Sequence, residues 1–191
     1  YNQKKIKQSG IDTLVSSCAE CFRTFARDYE LEDVKVMHTT EFLIESGFDM
    51  NLRANEETTV TYHDPCRLGR QMGIYEEPRE LIDGVENVNL VEMEHSGEDA
   101  MCCGVSSMMS CNENARALRV ARMEEIKSTG ADTMLTSCPK CVSHFECLKF
   151  EGDERYADIK ILDVVSFLAQ QINEKKDKIG QVTPIAVETE A

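Results

Sequence analysis

Ala131–Phe145 reads ADTMLTSCPKCVSHF, and Ile11–Phe25 reads IDTLVSSCAECFRTF. The second is a copy of the first. Cys18 aligns with Cys138 and Cys21 with Cys141, both at an offset of 120 (138 − 18, 141 − 21). Each copy runs from an apolar, β-branched stretch through Ser-Cys-x-x-Cys into an amphipathic stretch, so each places two thiols where a strand turns into a helix. A repeat that keeps its cysteines points to metal chemistry, because thiolates are what a metal site needs and what a core does not. The likeness extends outward. Ile6-Lys7 and Gly10 match Ile126-Lys127 and Gly130, and Val34–Leu43 (VKVMHTTEFL) matches Ile159–Leu168 (IKILDVVSFL). That last pair is offset by 125 (159 − 34), which puts an insertion around Glu151–Tyr156.

Between the copies, short apolar runs alternate with longer amphipathic ones. Thr59–His63, Val88–Met93, Thr133–Thr136 and Ile159–Leu162 read as strands. Pro78–Ile82, Asn112–Lys127 and Val164–Gln171 read as helices. Pro78 suits a first helical turn, Leu118, Ala121 and Ile126 share one face of the second helix, and Gly130 suits its C-terminus. Alternating strand and helix predicts an α/β fold with small parallel sheets covered by helices. The duplication predicts two lobes. Residues 1–52 form the C-terminal part of a first lobe, truncated at its N-terminus, and residues 53–172 a complete second lobe. The lobes meet near Phe48–Thr58, and residues 173–191 form a disordered tail. Shifted back by 120, the lone Cys66 and the pair Cys102-Cys103 fall before Tyr1, so the chain reads as a fragment, inactive alone.

The chain has 191 residues and a net charge of −14, a surface that excludes nucleic acid as a partner and disfavours docking on anionic lipid. No run approaches a membrane span and no signal peptide is visible. Nine cysteines without an export signal read as a cytoplasmic, reducing location, where close-set thiols are metal ligands more often than disulfides.

In the second lobe Cys66 follows the first strand, Cys102 and Cys103 the second, and Cys138 and Cys141 the third. The carboxyl ends of parallel strands share one sheet edge, which is where open α/β sheets place their sites. Cys-x-x-Cys at a helix start favours the thiolate. Adjacent Cys102 and Cys103 suit two irons of one cluster better than a single small ion, and Gly104 lets the backbone come close. Four thiolates suit zinc or an ordinary iron–sulfur cube; five exceed both and favour an unusual iron–sulfur cluster.

The pattern Cys66, Cys102-Cys103-Gly104, Ser137-Cys138-x-x-Cys141, with YHDPCRLGRQMGIYEEPRELI around Cys66, resembles the cysteine-rich CCG domain. That domain occurs, usually twice, in the B- and D-type catalytic subunits of heterodisulfide reductase and in related iron–sulfur subunits. The resemblance covers Gly10 to about Leu168. It implies that the two lobes are Rossmann-like and that Cys66, Cys102, Cys103, Cys138 and Cys141 hold a non-cubane [4Fe–4S] cluster. Cys18 and Cys21 are then the last two ligands of a second cluster, or of zinc, in the first lobe. It also implies an oxidoreductase subunit that passes electrons from a ferredoxin-like domain or partner to a small-molecule (hetero)disulfide, with a flavoprotein or membrane cytochrome subunit as a further partner and membrane association only through such a partner. Two alternatives stay open: an electron-transfer-only subunit of a flavin-linked dehydrogenase or anaerobic reductase complex, and a zinc-stapled structural module. Where many reductases follow the cysteine pair with a glycine-rich run, this chain has Gly104-Val-Ser-Ser-Met-Met-Ser-Cys111, whose bulkier side chains alter access to the cluster.

The catalytic chemistry belongs to the cluster itself. His63, beside Asp64 and Pro65, is a candidate for donating a hydrogen bond to a cluster sulfur or a proton to a leaving thiol, against the plainer reading of a satisfied turn residue. Arg67 and Arg70 flank Cys66 and are candidates for an anionic substrate or a partner. Lys140 reads as a solvated side chain rather than a counter-charge to the cluster. Cys111 and Cys147, with Met93, Met101, Met108, Met109 and Met134, read as packing residues. No role is read for His38, His95 or His144.

Overall fold

Six strands and eight helices alternate along the described residues, 1–48, 52–105 and 112–172, of the computed structural model. In chain order they are α1 (Asn2–Ser9), β1 (Thr13–Ser16), α2 (Ala19–Arg27), β2 (Lys35–His38), α3 (Thr39–Glu45), β3 (Leu52–His63), α4 (Gly69–Met72), α5 (Glu76–Asp83), β4 (Val85–Leu90), α6 (Glu113–Ser128), β5 (Thr133–Thr136), α7 (Pro139–Phe150), β6 (Lys160–Asp163) and α8 (Val164–Gln171). The predicted tail 173–191, and with it Met108, Met109 and Cys111, lies outside the described residues.

All strand pairs are parallel, as alternating elements require. β1 and β2 form a two-stranded sheet, and the other four form a sheet in the order β4-β3-β5-β6. The order reverses between β3 and β5. The chain leaves β3 toward β4 on one side and returns to β5 on the other, so a crevice opens beyond the carboxyl ends of these two central strands. Register brings His63 opposite Thr136 and Thr136 opposite Asp163, which aligns those ends.

Both faces of the larger sheet are covered, and side-chain alternation along β5 sorts its residues between them. Met134 packs with Met123, Ile126, Phe145 and Leu148 under α6 and α7. Leu135 packs with Val60, Tyr62, Leu81, Ile82, Phe167 and Leu168 under α5 and α8. Ala19 and Phe22 of α2 join the first of these cores, and Leu43, Ile44 and Phe48 pack against the second. Met93 and Met134 fill core space as expected.

Several boundaries differ from those read in the sequence. β3 begins at Leu52, so most of the stretch assigned to the lobe junction is strand. β4 spans Val85–Leu90 rather than Val88–Met93; beyond Leu90 only the Val91 N–H still bonds β3, through the Val60 carbonyl. β6 is shifted by one residue, and α5 starts two residues before Pro78, which still lies in its first turn. The face of α6 is corrected at two of its three residues, Ile126 being buried as read. Leu118 is 46 % exposed and Ala121 is exposed, while Ala115, Arg119, Arg122, Met123 and Ile126 are buried. The helix turns its charged stripe inward because carboxylates and histidines wait there to receive it.

Candidate metal centre

Three of the connections that leave the carboxyl edge of the four-stranded sheet carry cysteine. The connection after β3 is tight: the Leu68 and Gly69 N–H groups both donate to the Pro65 carbonyl at 2.9 Å, which holds Cys66 in a turn ahead of α4. The connection after β4 is tied back by Arg70, which donates to the Ala100 carbonyl, and it presents Cys102 and Cys103. Gly104 there has φ 93°, a conformation L side chains rarely adopt, and its N–H donates to Cys102 Sγ at 3.3 Å. After β5, Cys138 is the N-cap of α7, with Pro139 in the first turn, where its missing N–H costs nothing.

These turns bring the five sulfurs together. Cys66 contacts Cys102, Cys102 contacts Cys103, Cys103 contacts Cys141, and Cys141 contacts Cys138. The Cys103–Cys141 sulfur separation is 3.3 Å. All five are free thiols; Cys103, Cys138 and Cys141 are buried, and Cys66 and Cys102 half-buried. Cys66, Cys103, Cys138 and Cys141 line one small cavity with Glu20, Pro65, Arg67, Val105 and Lys140.

The cluster of thiols is electrostatically frustrated. Sulfur–sulfur hydrogen bonding and then burial push the Cys66 and Cys141 thiols up, and hydrogen bonding to Cys102 pushes Cys103 up to about 12. Cys138 is the exception. The Cys141 thiol, and then the backbone N–H groups of Cys141 and Lys140 at the start of α7, favour its thiolate and lower it to about 7. Buried thiols that raise one another's pKa are what a bound cation relieves, since metal coordination deprotonates thiols outright. The donor set is therefore soft and metal-fitting.

A polar frame surrounds it that the sequence reading missed. Asp64 is 3 % exposed, takes both guanidinium nitrogens of Arg79 at 2.8 and 2.9 Å, and accepts the Gly97 N–H at 2.8 Å. Burial works against the Arg79 charge, but the Asp64 and Glu92 carboxylates outweigh it and raise its pKa. From α6, fully buried Arg122 donates to His63 Nδ1 at 3.1 Å, and Arg119 approaches His144 Nδ1 at 3.4 Å. His63 is buried against the edge of the Phe145 ring, and a ring nitrogen lies with the Cys103 and Cys141 sulfurs inside a 4.8 Å group. The only sequence trace of this frame was the polar His63-Asp64 pair at a strand end. Nothing in helical periodicity marked Arg119 or Arg122.

The remaining candidates are placed as follows. Cys18 caps α2 and its sulfur accepts the Cys21 N–H at 3.5 Å; Cys21 is exposed. Hydrogen bonding to Cys18 raises Cys21. Lys140 is ion-paired with Glu20 rather than solvated alone, so each Cys-x-x-Cys turn contributes one interior residue to a bridge between them. Arg67 donates to Gln71 at 2.9 Å. Cys147 is half-buried beside Val105, Pro139 and His144. His38 and His95 take structural roles, the first capping α3 and the second hydrogen-bonded to Glu125.

A parallel sheet with cysteine in three connections at its switch point defines a cysteine-rich α/β protein with a candidate metal centre. Residues 60–146 match the model of the cysteine-rich domain CCG. It is 33 % identical over 181 residues to the D-type subunit of dihydromethanophenazine:CoB–CoM heterodisulfide reductase of Methanosarcina acetivorans, covering 90 % of this chain and 44 % of that one. It is 32 % identical over 164 residues to the B-type subunit of fumarate reductase (CoM/CoB) of Methanothermobacter marburgensis, covering 83 % and 32 %. It is 30 % identical over 191 residues to the probable iron-sulfur-binding oxidoreductase FadF of Bacillus subtilis, covering 94 % and 26 %. The chain thus spans less than half the length of these relatives, which are oxidoreductases or their subunits. Among the described residues no helix is long and apolar enough to cross a membrane.

Proposed function

We propose that Cys66, Cys102, Cys103, Cys138 and Cys141 hold a non-cubane [4Fe–4S] cluster, and that the chain is part of an oxidoreductase that passes electrons to a small-molecule disulfide in the manner of heterodisulfide reductase. One observation carries the reading: five sulfurs from three separate connections form one contiguous group at the sheet's switch point. Such a cluster supplies one-electron transfer and irons that thiolates bind.

The chain's own groups prepare that chemistry. The first turn of α7 favours the Cys138 thiolate. Burial of Cys103, Cys138 and Cys141 excludes water from the inner side, and half-buried Cys66 and Cys102 leave the outer side as the approach for substrate. Arg67 lines that cavity beside the Glu20–Lys140 ion pair and gives an anionic thiol compound a cation to approach. Cys18 and Cys21 are two ligands of a second site, for a cluster or zinc, completed by residues outside these turns. The electron donor is a ferredoxin-like domain or separate protein, in a reducing cytoplasm, with any membrane attachment made through a partner.

Anaerobic loading of the full chain followed by metal analysis tests the proposal. About four irons and four sulfides bound at the five-cysteine site are expected, and Cys103→Ser or Cys138→Ser abolishes them. Zinc without sulfide, or iron content indifferent to these substitutions, overturns it. Electron paramagnetic resonance of the oxidised protein with added thiol then separates substrate binding, which changes the signal, from electron relay alone, which does not.

A further inference from the structure

The ring of His63 is 1 % exposed at the end of β3, and its two nitrogens face different company. Arg122 Nε lies 3.1 Å from Nδ1. A guanidinium carries only N–H donors and stays charged in proteins, so Nδ1 must accept. Arg122 is itself held in place, donating to Glu125 Oε2 at 2.6 Å and to the His95 carbonyl at 2.7 Å. A neutral imidazole has one accepting nitrogen and one N–H, so an accepting Nδ1 puts the proton on Nε2. A doubly protonated ring would set donor against donor.

Nε2 is buried and has no hydrogen-bond partner among the described residues. A ring nitrogen of His63 shares a 4.8 Å group with Cys103 Sγ and Cys141 Sγ, and Nε2 is the nitrogen that Arg122 leaves unpaired. We propose that Arg122 locks His63 as an Nε2–H donor to the Cys103–Cys141 sulfur pair, so that His63 is a positioning and redox-tuning residue of the metal centre and not a ligand to it. To ligate a metal, Nε2 would have to give up its proton while Arg122 holds the other lone pair, leaving an imidazolate. Nor does His63 relay protons, since a proton moved to Nδ1 would face the Arg122 N–H, donor against donor.

The effect on the centre follows from charge. Adding an electron makes the cysteine sulfurs more negative and strengthens a hydrogen bond to them. The donor therefore stabilises the reduced state and raises the reduction potential.

The inference rests on the iron–sulfur reading above, and its test separates the two. In the cluster-loaded full chain, His63→Leu shifts the midpoint potential to more negative values at unchanged iron and sulfide content. His63→Gln offers a carbonyl to Arg122 and an N–H to the sulfurs, and recovers most of the shift. Exchange into D2O moves the iron–sulfur stretching bands of the wild type and not of His63→Leu. A potential and a deuterium response unchanged in His63→Leu overturn the proposal. So does a directly coordinated nitrogen in pulsed electron paramagnetic resonance of 15N-histidine-labelled protein that the substitution removes. Should His63→Leu fail to fold, 15N resonances of the metal-free wild type decide: an Nε2–H tautomer at His63 is expected, and an Nδ1–H tautomer or a doubly protonated ring overturns the assignment. Protein that takes up no iron and sulfide defeats the cluster reading, while the metal-free tautomer is still read independently.

Discussion

At Gly104 a single hydrogen atom decides whether the cysteine pair can be presented. A Cβ there would lie 2.6 Å from the Ala115 carbonyl oxygen and 3.2 Å from Leu118 Cβ, on a backbone already at φ 93°. The glycine lets the Cys102-Cys103 turn lie flat against the start of α6 while its N–H reaches Cys102 Sγ. Gly104→Ala should therefore destabilise the chain by about 1–3 kcal/mol, the usual range for a strained backbone position. Denaturant unfolding of the metal-free protein measures this, and a loss below about 0.5 kcal/mol would show that the loop relaxes freely.

Among the elements, α3 shows how burial and capping make stability depend on pH. His38 is its N-cap: Nδ1 accepts the Thr40 N–H at 3.3 Å, and the Glu41 carboxylate accepts the His38 N–H at 2.8 Å. Burial lowers His38 to about 4, below the ordinary histidine value of about 6.5. The unfolded chain thus takes up the proton first. The contribution is fully present above about pH 6.5 and is lost as pH falls toward 4, amounting to at most about 3 kcal/mol. Asparagine caps without titrating, so His38→Asn should flatten the acid side of the stability profile between pH 6.5 and 4. An unchanged slope would mean that carboxylates alone set it. At the same scale α6 shows where pattern reading stops. Hydrophobic periodicity chose Leu118 and Ala121 for burial, but the helix buries Arg119 and Arg122 because His144, Glu151, His63 and Glu125 are placed to receive them. Of these partners only Glu125 lies on the helix itself; the others come from elements packed against it.

For the molecule as a whole, the Arg79 guanidinium ties together the parts of the chain that carry the site. It spans α5, Asp64 ahead of Cys66, and Glu92 after β4, and it stacks over Tyr62 at 5.1 Å. Asp64 in turn takes the Gly97 N–H of the connection leading to Cys102. Replacing Arg79 by Leu strands a carboxylate that is almost wholly buried, at a cost of about 3–5 kcal/mol. It should also lower metal retention by loosening two of the three cysteine-bearing turns. Urea unfolding read beside iron content tests both, and a cost under about 1 kcal/mol would place the tie elsewhere. The Glu20–Lys140 bridge is different: it is partly solvated, so Glu20→Gln should change stability by less than about 1 kcal/mol.

The parallel α/β character and the strand-to-helix position of both Cys-x-x-Cys turns were legible in the residues themselves. Strand and helix periods are local, and cysteine spacing survives any rearrangement of the loops between. Strand order, the reversal between β3 and β5, the contact path through five sulfurs and the orientation of His63 by Arg122 were decided only by tertiary structure. Each depends on which segments, some 40 to 60 residues apart, come to lie against one another (122 − 63, 141 − 103), and that is settled by packing both sheet faces at once rather than by any one stretch of sequence.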